Sequence, residues 1–510
     1  MQEINTHTTL KNATYNFIGY TWPMIFSIFI TPIIVFKLGI KDYGIYIFIN
    51  TLTSILYLLA FGIGTSTIKY ISEYKSTNQE SKLREFVYSM NSLFLIIGTV
   101  GLVCFVVTGL VINFFSTQQS FGYVIVFIAA GIYFFISSIS SIFDLIIAAL
   151  QRYDIITKIN IVSLTISNIG ILIIASLGYK LMPIFIFQII VIFFTVIITK
   201  QSCKKIFAYS DLKYAWNKFE IIKSYKFGFS VFLTDMANSS LIYLDKILIP
   251  IFLGPTQLTY YSLPGSIATK VSGTSNSLSG VLLPLTTSLN SVNNLEAIKT
   301  LYVRSIRLIT ILSGSISISV IVLSDKILVN WLNEDFAQKS LTILIILTVT
   351  HFLISLQIPV TKFLLALGKT KFISSISIAM ALLNAILLLL FLPKYGITAA
   401  AWSYLISLLP IIYIFHHAEK RYLQIGLFKE HCILYSKLVL TAIPFILICR
   451  FVYAPLINSM FTLIIFGPLS VITFLFLYRF FNFYHPTDWR DLNKFAIKIG
   501  ASLKKIIWKR

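Results

Sequence analysis

The sequence predicts an all-α, polytopic integral membrane protein with about 14 transmembrane helices, arranged as two parallel six-helix bundles around a central cavity plus two C-terminal helices. Composition gives the class: of 510 residues, 57% are hydrophobic and 12% charged, and the mean hydropathy is +0.85. A soluble domain carries about 25% charged residues. Apolar runs recur from residue 12 to residue 481. They reach the roughly 20 residues that a bilayer-spanning helix needs, and they lack the two-residue alternation of a membrane β-barrel. The third observation is where the cations fall.

Fourteen spans are expected, at about 13–36, 43–68, 86–114, 121–149, 156–178, 183–199, 227–253, 260–289, 302–323, 340–367, 372–392, 397–415, 433–453 and 459–480. With that count, and with cations within five residues of a span's end assigned to that side, 32 of the 41 Lys and Arg residues fall on one side of the membrane and 7 on the other, while Lys246 and Lys270 lie deeper within spans. A wrong count would scramble this alternation. The positive-inside rule then places both termini in the cytoplasm. The net charge of +22 is thereby accounted for by the membrane surface, and it does not argue for nucleic acid. Residues 1–11 are polar and the first apolar run lacks a small-residue cleavage site, so it reads as a permanent helix. Cys104, Cys203, Cys432 and Cys449 show neither disulfide nor metal-ligand spacing.

The seventh span, Phe227–Leu253, carries Asp235, Asp245 and Lys246, although a charge at mid-membrane costs about 2.5–3.5 kcal/mol even on lenient scales. These residues are expected to face protein or water. The span follows the most basic internal loop, 201–226, whose Trp216, Phe219 and Ile222 read either as an interfacial stretch or as an ordinary connector. It also opens a second copy of the first half. LGIKDYGIY (38–46) aligns with LGPTQLTYY (253–261), and Ala149, Leu150 and Arg152 align with Ala366, Leu367 and Lys369, at offsets of 215 and 217. An even number of spans between copies makes the halves parallel. The expected domains are a bundle over 1–200, a basic linker over 201–226, a second bundle over 227–416, two further helices over 417–481 and an amphipathic tail over 482–510. In the tail, Leu492, Phe495, Ile499, Leu503 and Ile506 share a helical face opposite Lys494, Lys498, Lys505 and Lys509.

Four stretches carry a family resemblance: LGIKDYGIY after the first span, LDKILIPIFLG in the seventh, LLPLTTSL (282–289) in the eighth and KYGITAAAWSYLIS (394–407) entering the twelfth. Together with the two repeats and two added helices, they resemble the Wzx-type polysaccharide repeat-unit flippases (O-antigen and capsule translocases) of the multidrug/oligosaccharidyl-lipid/polysaccharide exporter superfamily. Thr259 departs from the pattern where Gly44 stands in the first half. The resemblance implies a bacterial inner-membrane transporter, not an enzyme, that flips undecaprenyl-pyrophosphate-linked glycan units by alternating access. It implies no cofactor and no metal. The implied partners are the lipid-linked glycan, membrane lipids, a polysaccharide polymerase and a chain-length regulator, with no nucleic acid.

Within that frame Lys246, Lys270 and Lys69 are the candidate substrate contacts, because a lysine ammonium pairs with phosphate as a point charge. Lys246 reads equally as a partner of Asp245 or as a snorkelling side chain, and Lys69 as a positive-inside anchor. Asp235, Asp144 and Asp245 are the candidate ion-coupling carboxylates, with helix packing as the plainer alternative. His351 reads as a packed neutral histidine or as a titrating group. Pro23, Pro32, Pro250 and Pro284 mark positions where helices can bend. A cation-coupled multidrug exporter of the same superfamily is the competing reading. A polymerase or ligase fits less well, because the outer loops are short and hold no catalytic cluster. No G-x-x-x-x-G-K loop is present for ATP hydrolysis.

Overall fold

The structure, a computed structural model, describes residues 22, 26–60, 62–115, 121–207 and 213–484. The expected amphipathic tail and Pro23 lie outside the described residues. Helix α1 is Phe26–Leu38. It is followed by α2 (Ile40–Leu56), a 3₁₀ turn (Tyr57–Ala60), α3 (Ile63–Ser76), α4 (Glu80–Phe115), α5 (Phe121–Ala149), α6 (Tyr153–Ser176), α7 (Leu181–Lys204) and α8 (Lys218–Leu253). Then come α9 (Pro255–Ser279), α10 (Leu282–Ser291), α11 (Leu295–Val322), α12 (Ser324–Trp331), α13 (Glu334–Ala366), α14 (Thr370–Ser407), α15 (Pro410–His417), α16 (Phe428–Ile448), the single turn α17 (Ala454–Leu456) and α18 (Met460–Phe480). The chain is a polytopic all-α membrane protein. Among the described residues, 10 helices are long and apolar enough to cross a membrane. One of these, Thr370–Leu423, joins the expected eleventh and twelfth spans across a kink at Gly396.

The chain forms two compact units, Met1–Thr259 and Tyr260–Arg510. In the first, α4 packs on α5, where Ser138 Oγ donates to Phe94 O at 2.8 Å, and α8 packs on α2, α3 and α4. Helix α8 starts nine residues before the expected span because Asn217 caps it: its side chain accepts from Phe219 N and Glu220 N. In the second unit, α16 and α18 close over α11 through Phe445, Phe474, Tyr478, Leu438 and Ile311.

The repeat is visible in the backbone of each unit taken by itself. Gly39 (φ 86°, ψ 155°) and Gly254 (φ 87°, ψ 163°), 215 residues apart, each turn one span into the next. Asn78 and Asn293, also 215 apart, are left-handed at φ 54° and 53°. Each is followed by a residue whose N–H bonds back five positions, Gln79 to Tyr74 and Asn294 to Leu289. Gln151 and Gly368, 217 apart, share the same arrangement, with Arg152 N bonding Ile147 O and Lys369 N bonding Leu364 O. One consequence was not expected from the sequence: the second span of each half is broken. Residues 40–76 run as α2, a 3₁₀ turn and α3, and residues 255–291 run as α9 and α10.

Candidate functional site

Helix α9 reverses the usual pattern of a membrane helix. Its buried face is formed by Ala268, Val271, Ser275 and Ser279. The opposite face carries Ser266, Thr269, Lys270, Gly273, Asn276, Ser277 and Gly280, all exposed or half-buried. Spacings of three and four residues keep these on one stripe. Several hydroxyls donate to their own helix, Ser266 Oγ to Leu263 O at 2.7 Å, Thr269 Oγ1 to Ser266 O at 2.8 Å and Ser277 Oγ to Gly273 O at 3.0 Å. Their lone pairs remain available outward as acceptors. Lys270 is the single cation of this stripe. Helix α9 does not appear among the ten apolar spans, in keeping with a face that belongs in water. On the buried side, Ser272 Oγ lies 2.9 Å from His351 Nδ1, and the His351 ring stands edge-on to Tyr404. His351 is therefore a packed, bonded residue.

The corresponding broken span in the first unit borders a cavity of about 490 Å³ whose wall mixes hydroxyls with Ile156, Ile161, Leu164 and Ile192. Asp144 lies on its wall with Tyr57, Tyr133, Ser137, Asn160 and Thr195. The 3₁₀ turn brings Tyr57 into this lining, where its hydroxyl donates to Ser137 Oγ at 2.7 Å. Ser163 and Thr195 hydroxyls pair at 3.0 Å across α6 and α7. One carboxylate among neutral oxygens can hold a proton or a small cation. Among the described residues no group of three or more His, Cys, Asp and Glu gathers to hold a metal.

Lys69 sits on α3, exposed, with its ammonium 5.1 Å from the Tyr70 ring. Lys223 of α8 lies 4.3 Å from the same ring. Lys223 Nζ donates to Tyr74 Oη at 2.7 Å, and Tyr74 Oη reaches both carboxylate oxygens of buried Glu220 at 2.9 and 3.0 Å. Nearby, the turn between α5 and α6 is fixed by Arg152. Its hydrogen bond to Asp154 (Nε to Oδ1, 2.9 Å) raises the guanidinium above its ordinary value.

The charges of α8 divide between faces. Asp235 and Lys246 share one face with Asn238 and Ile242, and a spacing of eleven residues separates them by about 16 Å along the axis, too far for an ion pair. Asp235 is exposed, Lys246 is half-buried with its ammonium 5.7 Å from the Tyr243 ring, and Asp245 is buried with Oδ1 accepting from Lys246 N at 2.7 Å. The structure thus groups Asp144 with the cavity, Lys69 with Lys223, and Asp235 with Lys246. Sequence reasoning missed Glu220, Lys223 and the hydroxyl lining around Asp144. The signal for the lining was present in the Ser137–Ser141 run one turn before Asp144.

A family model described as polysaccharide biosynthesis protein matches residues 9–290. A putative O-antigen transporter of Shigella flexneri is 20% identical over 412 residues, covering 78% of this chain and 95% of that protein. Among solved structures, the lipid II flippase MurJ in an inward closed conformation superposes with a TM-score of 0.71 at 16% identity, covering 93% of this chain and 98% of that one. An inward-facing MATE-family multidrug resistance transporter of the MOP superfamily gives 0.62 at 12% identity, over 79% and 93%. These likenesses show a shared fold.

Proposed function

The chain belongs to the polysaccharide biosynthesis protein family, and on that premise we propose that it is a flippase for polyprenyl-diphosphate-linked glycan units. The lipid carrier is undecaprenyl, the membrane is the bacterial inner membrane with both termini cytoplasmic, and transport proceeds by alternating access. One observation carries this reading: the corresponding second spans of the two halves are both interrupted, and one of them bears a polar, exposed face with a single lysine. Interrupted segments at matching positions of a repeat are where transporters build their sites. The hydroxyl and amide groups of α9 suit sugar hydroxyls, and Lys270 suits a diphosphate. Lys69, beside Lys223, makes the first contact on the inner side, and Lys246 is a further cation for the diphosphate. Asp144 and its cavity serve ion coupling. Buried Asp245 holds the local backbone of α8. The product then passes to a polysaccharide polymerase and its chain-length regulator.

The test uses vesicles containing the purified protein and a fluorescent polyprenyl-diphosphate oligosaccharide, with an impermeant quencher reporting sidedness. Lys270→Ala is expected to slow translocation about 10–100-fold, the worth of a charge-assisted hydrogen bond of roughly 1.5–3 kcal/mol. Lys270→Arg should keep part of the rate. An unchanged rate in Lys270→Ala removes the residue from the mechanism. Drug uptake by the wild type with no glycolipid movement would establish the multidrug reading instead, which the Asp144 cavity also accommodates.

A further inference from the structure

Between α7 and α8, residues 213–217 run as a non-helical strap along the start of α4. Asn91 Nδ2 donates to Lys213 O at 3.0 Å, Ala215 N to Tyr88 O at 3.3 Å, Ser92 Oγ to Ala215 O at 2.8 Å and Asn217 N to Ser89 Oγ at 3.2 Å. The strap is therefore fixed along its length. The single acid between 213 and 226, Glu220, points inward to Tyr74. What projects outward is apolar and cationic. Tyr214, Trp216, Phe219 and Ile222 are 51%, 61%, 72% and 41% exposed, and the exposed lysines Lys213, Lys218 and Lys226 are interleaved with them.

The depth of the strap follows from helix length. Helix α4 has 36 residues. At 1.5 Å per residue it is about 54 Å long, against a hydrocarbon core of about 30 Å and about 40–45 Å with headgroups. Counted from Phe115 as the outer edge of the core, the core ends near residue 95, and an inner headgroup layer about 5–7 Å thick reaches about residue 91. Ser92, which holds the strap, falls in that layer, and Tyr88 and Ser89 lie within about one turn of its edge. We propose that residues 213–226 are a docking surface for anionic lipid, with Trp216 and Phe219 inserted among the headgroups and Lys213, Lys218 and Lys226 against lipid phosphates. Aromatic rings prefer this layer, and each lysine near an anionic surface adds to binding. A protein partner would need acidic groups to match the three lysines and would have to displace lipid from a surface already at headgroup depth.

The test reconstitutes full-length protein in phosphatidylcholine vesicles with or without phosphatidylglycerol, using acyl chains brominated near the headgroup. Wild type is expected to lose more tryptophan fluorescence than Trp216→Phe, and the excess should grow with phosphatidylglycerol. The triple variant Lys213→Gln, Lys218→Gln, Lys226→Gln should need about tenfold more phosphatidylglycerol for the same excess, with its elution profile unchanged. The proposal is overturned if bromine produces no excess quenching. That holds whether aqueous iodide reaches Trp216, as for a solvated strap, or nothing reaches it, as for a strap covered by protein. It is overturned equally if the triple variant keeps the wild-type lipid dependence.

Discussion

Replacing Gly62 with alanine tests the break in the second span directly. Gly62 caps α3 in the left-handed region at φ 70° and ψ 7°. A Cβ there would lie 2.4 Å from the carbonyl oxygen of Gly228 and 3.0 Å from its Cα. The left-handed conformation costs an alanine about 1–2 kcal/mol. The clash is with backbone, so no rotamer relieves it, and α3 and α8 must separate by about 1 Å; forced repacking of that kind costs about 1–3 kcal/mol. The expected loss is about 2–5 kcal/mol. Two residues on, Gly64 is helical and its added Cβ meets only Leu145 Cδ2 at 3.6 Å, an ordinary contact. Gly64→Ala is therefore expected to be neutral or to gain about 0.5–1 kcal/mol through helix propensity. Thermal unfolding of the two purified variants, followed by size-exclusion chromatography, compares them in one detergent. Equal melting temperatures for Gly62→Ala and Gly64→Ala would refute both the break and its contact with α8.

Gly39→Ala and Gly254→Ala, with matching backbone angles and no atom within 4 Å of either added Cβ, should each lose about 1–3 kcal/mol in the same melting assay. Clearly unequal losses would argue against equivalent turns. Glu220→Gln removes the charge that Tyr74 and Lys223 converge on, and a loss of about 1–3 kcal/mol is expected; an unchanged melt would show that the network contributes nothing. Asp144→Asn keeps the shape of the cavity wall but cannot take up a proton. Translocation should lose its dependence on the ion gradient, measured as the ratio of rates with and without the gradient, and a wild-type ratio would reject Asp144 as the coupling group.

The apolar helices were legible because run length and hydropathy are written directly in the sequence. The repeat was legible from Gly39 and Gly254, since a glycine at a tight turn between spans leaves a mark in the sequence. The breaks at 57–62 and 280–281 were not. Hydropathy averages over a window, and Gly62 or Gly280 reads there as one more membrane glycine. The reversed face of α9 was hidden for the same reason: serine, threonine and glycine are mildly polar, and only their three- and four-residue spacing around Lys270 gives them a direction. Glu220 was missed, because nothing in the sequence shows that Tyr74, 146 residues away, donates to it. Asp235 and Asp245 looked alike in sequence, yet an offset of ten residues along the helix turns one outward and the other into the packing.

Cysteine accessibility along α9 tests the account most directly. Single cysteines at Ser266, Thr269, Gly273, Asn276, Ser277 and Gly280 are predicted to react with an impermeant, water-soluble thiol reagent in membranes, and glycolipid substrate should slow that reaction. Cysteines at Ala268, Val271 and Ser275 should stay unreactive. Labelling of the second set, or a first set that reacts only with lipid-soluble reagents, would contradict a hydrated face on this helix and the transport path built on it.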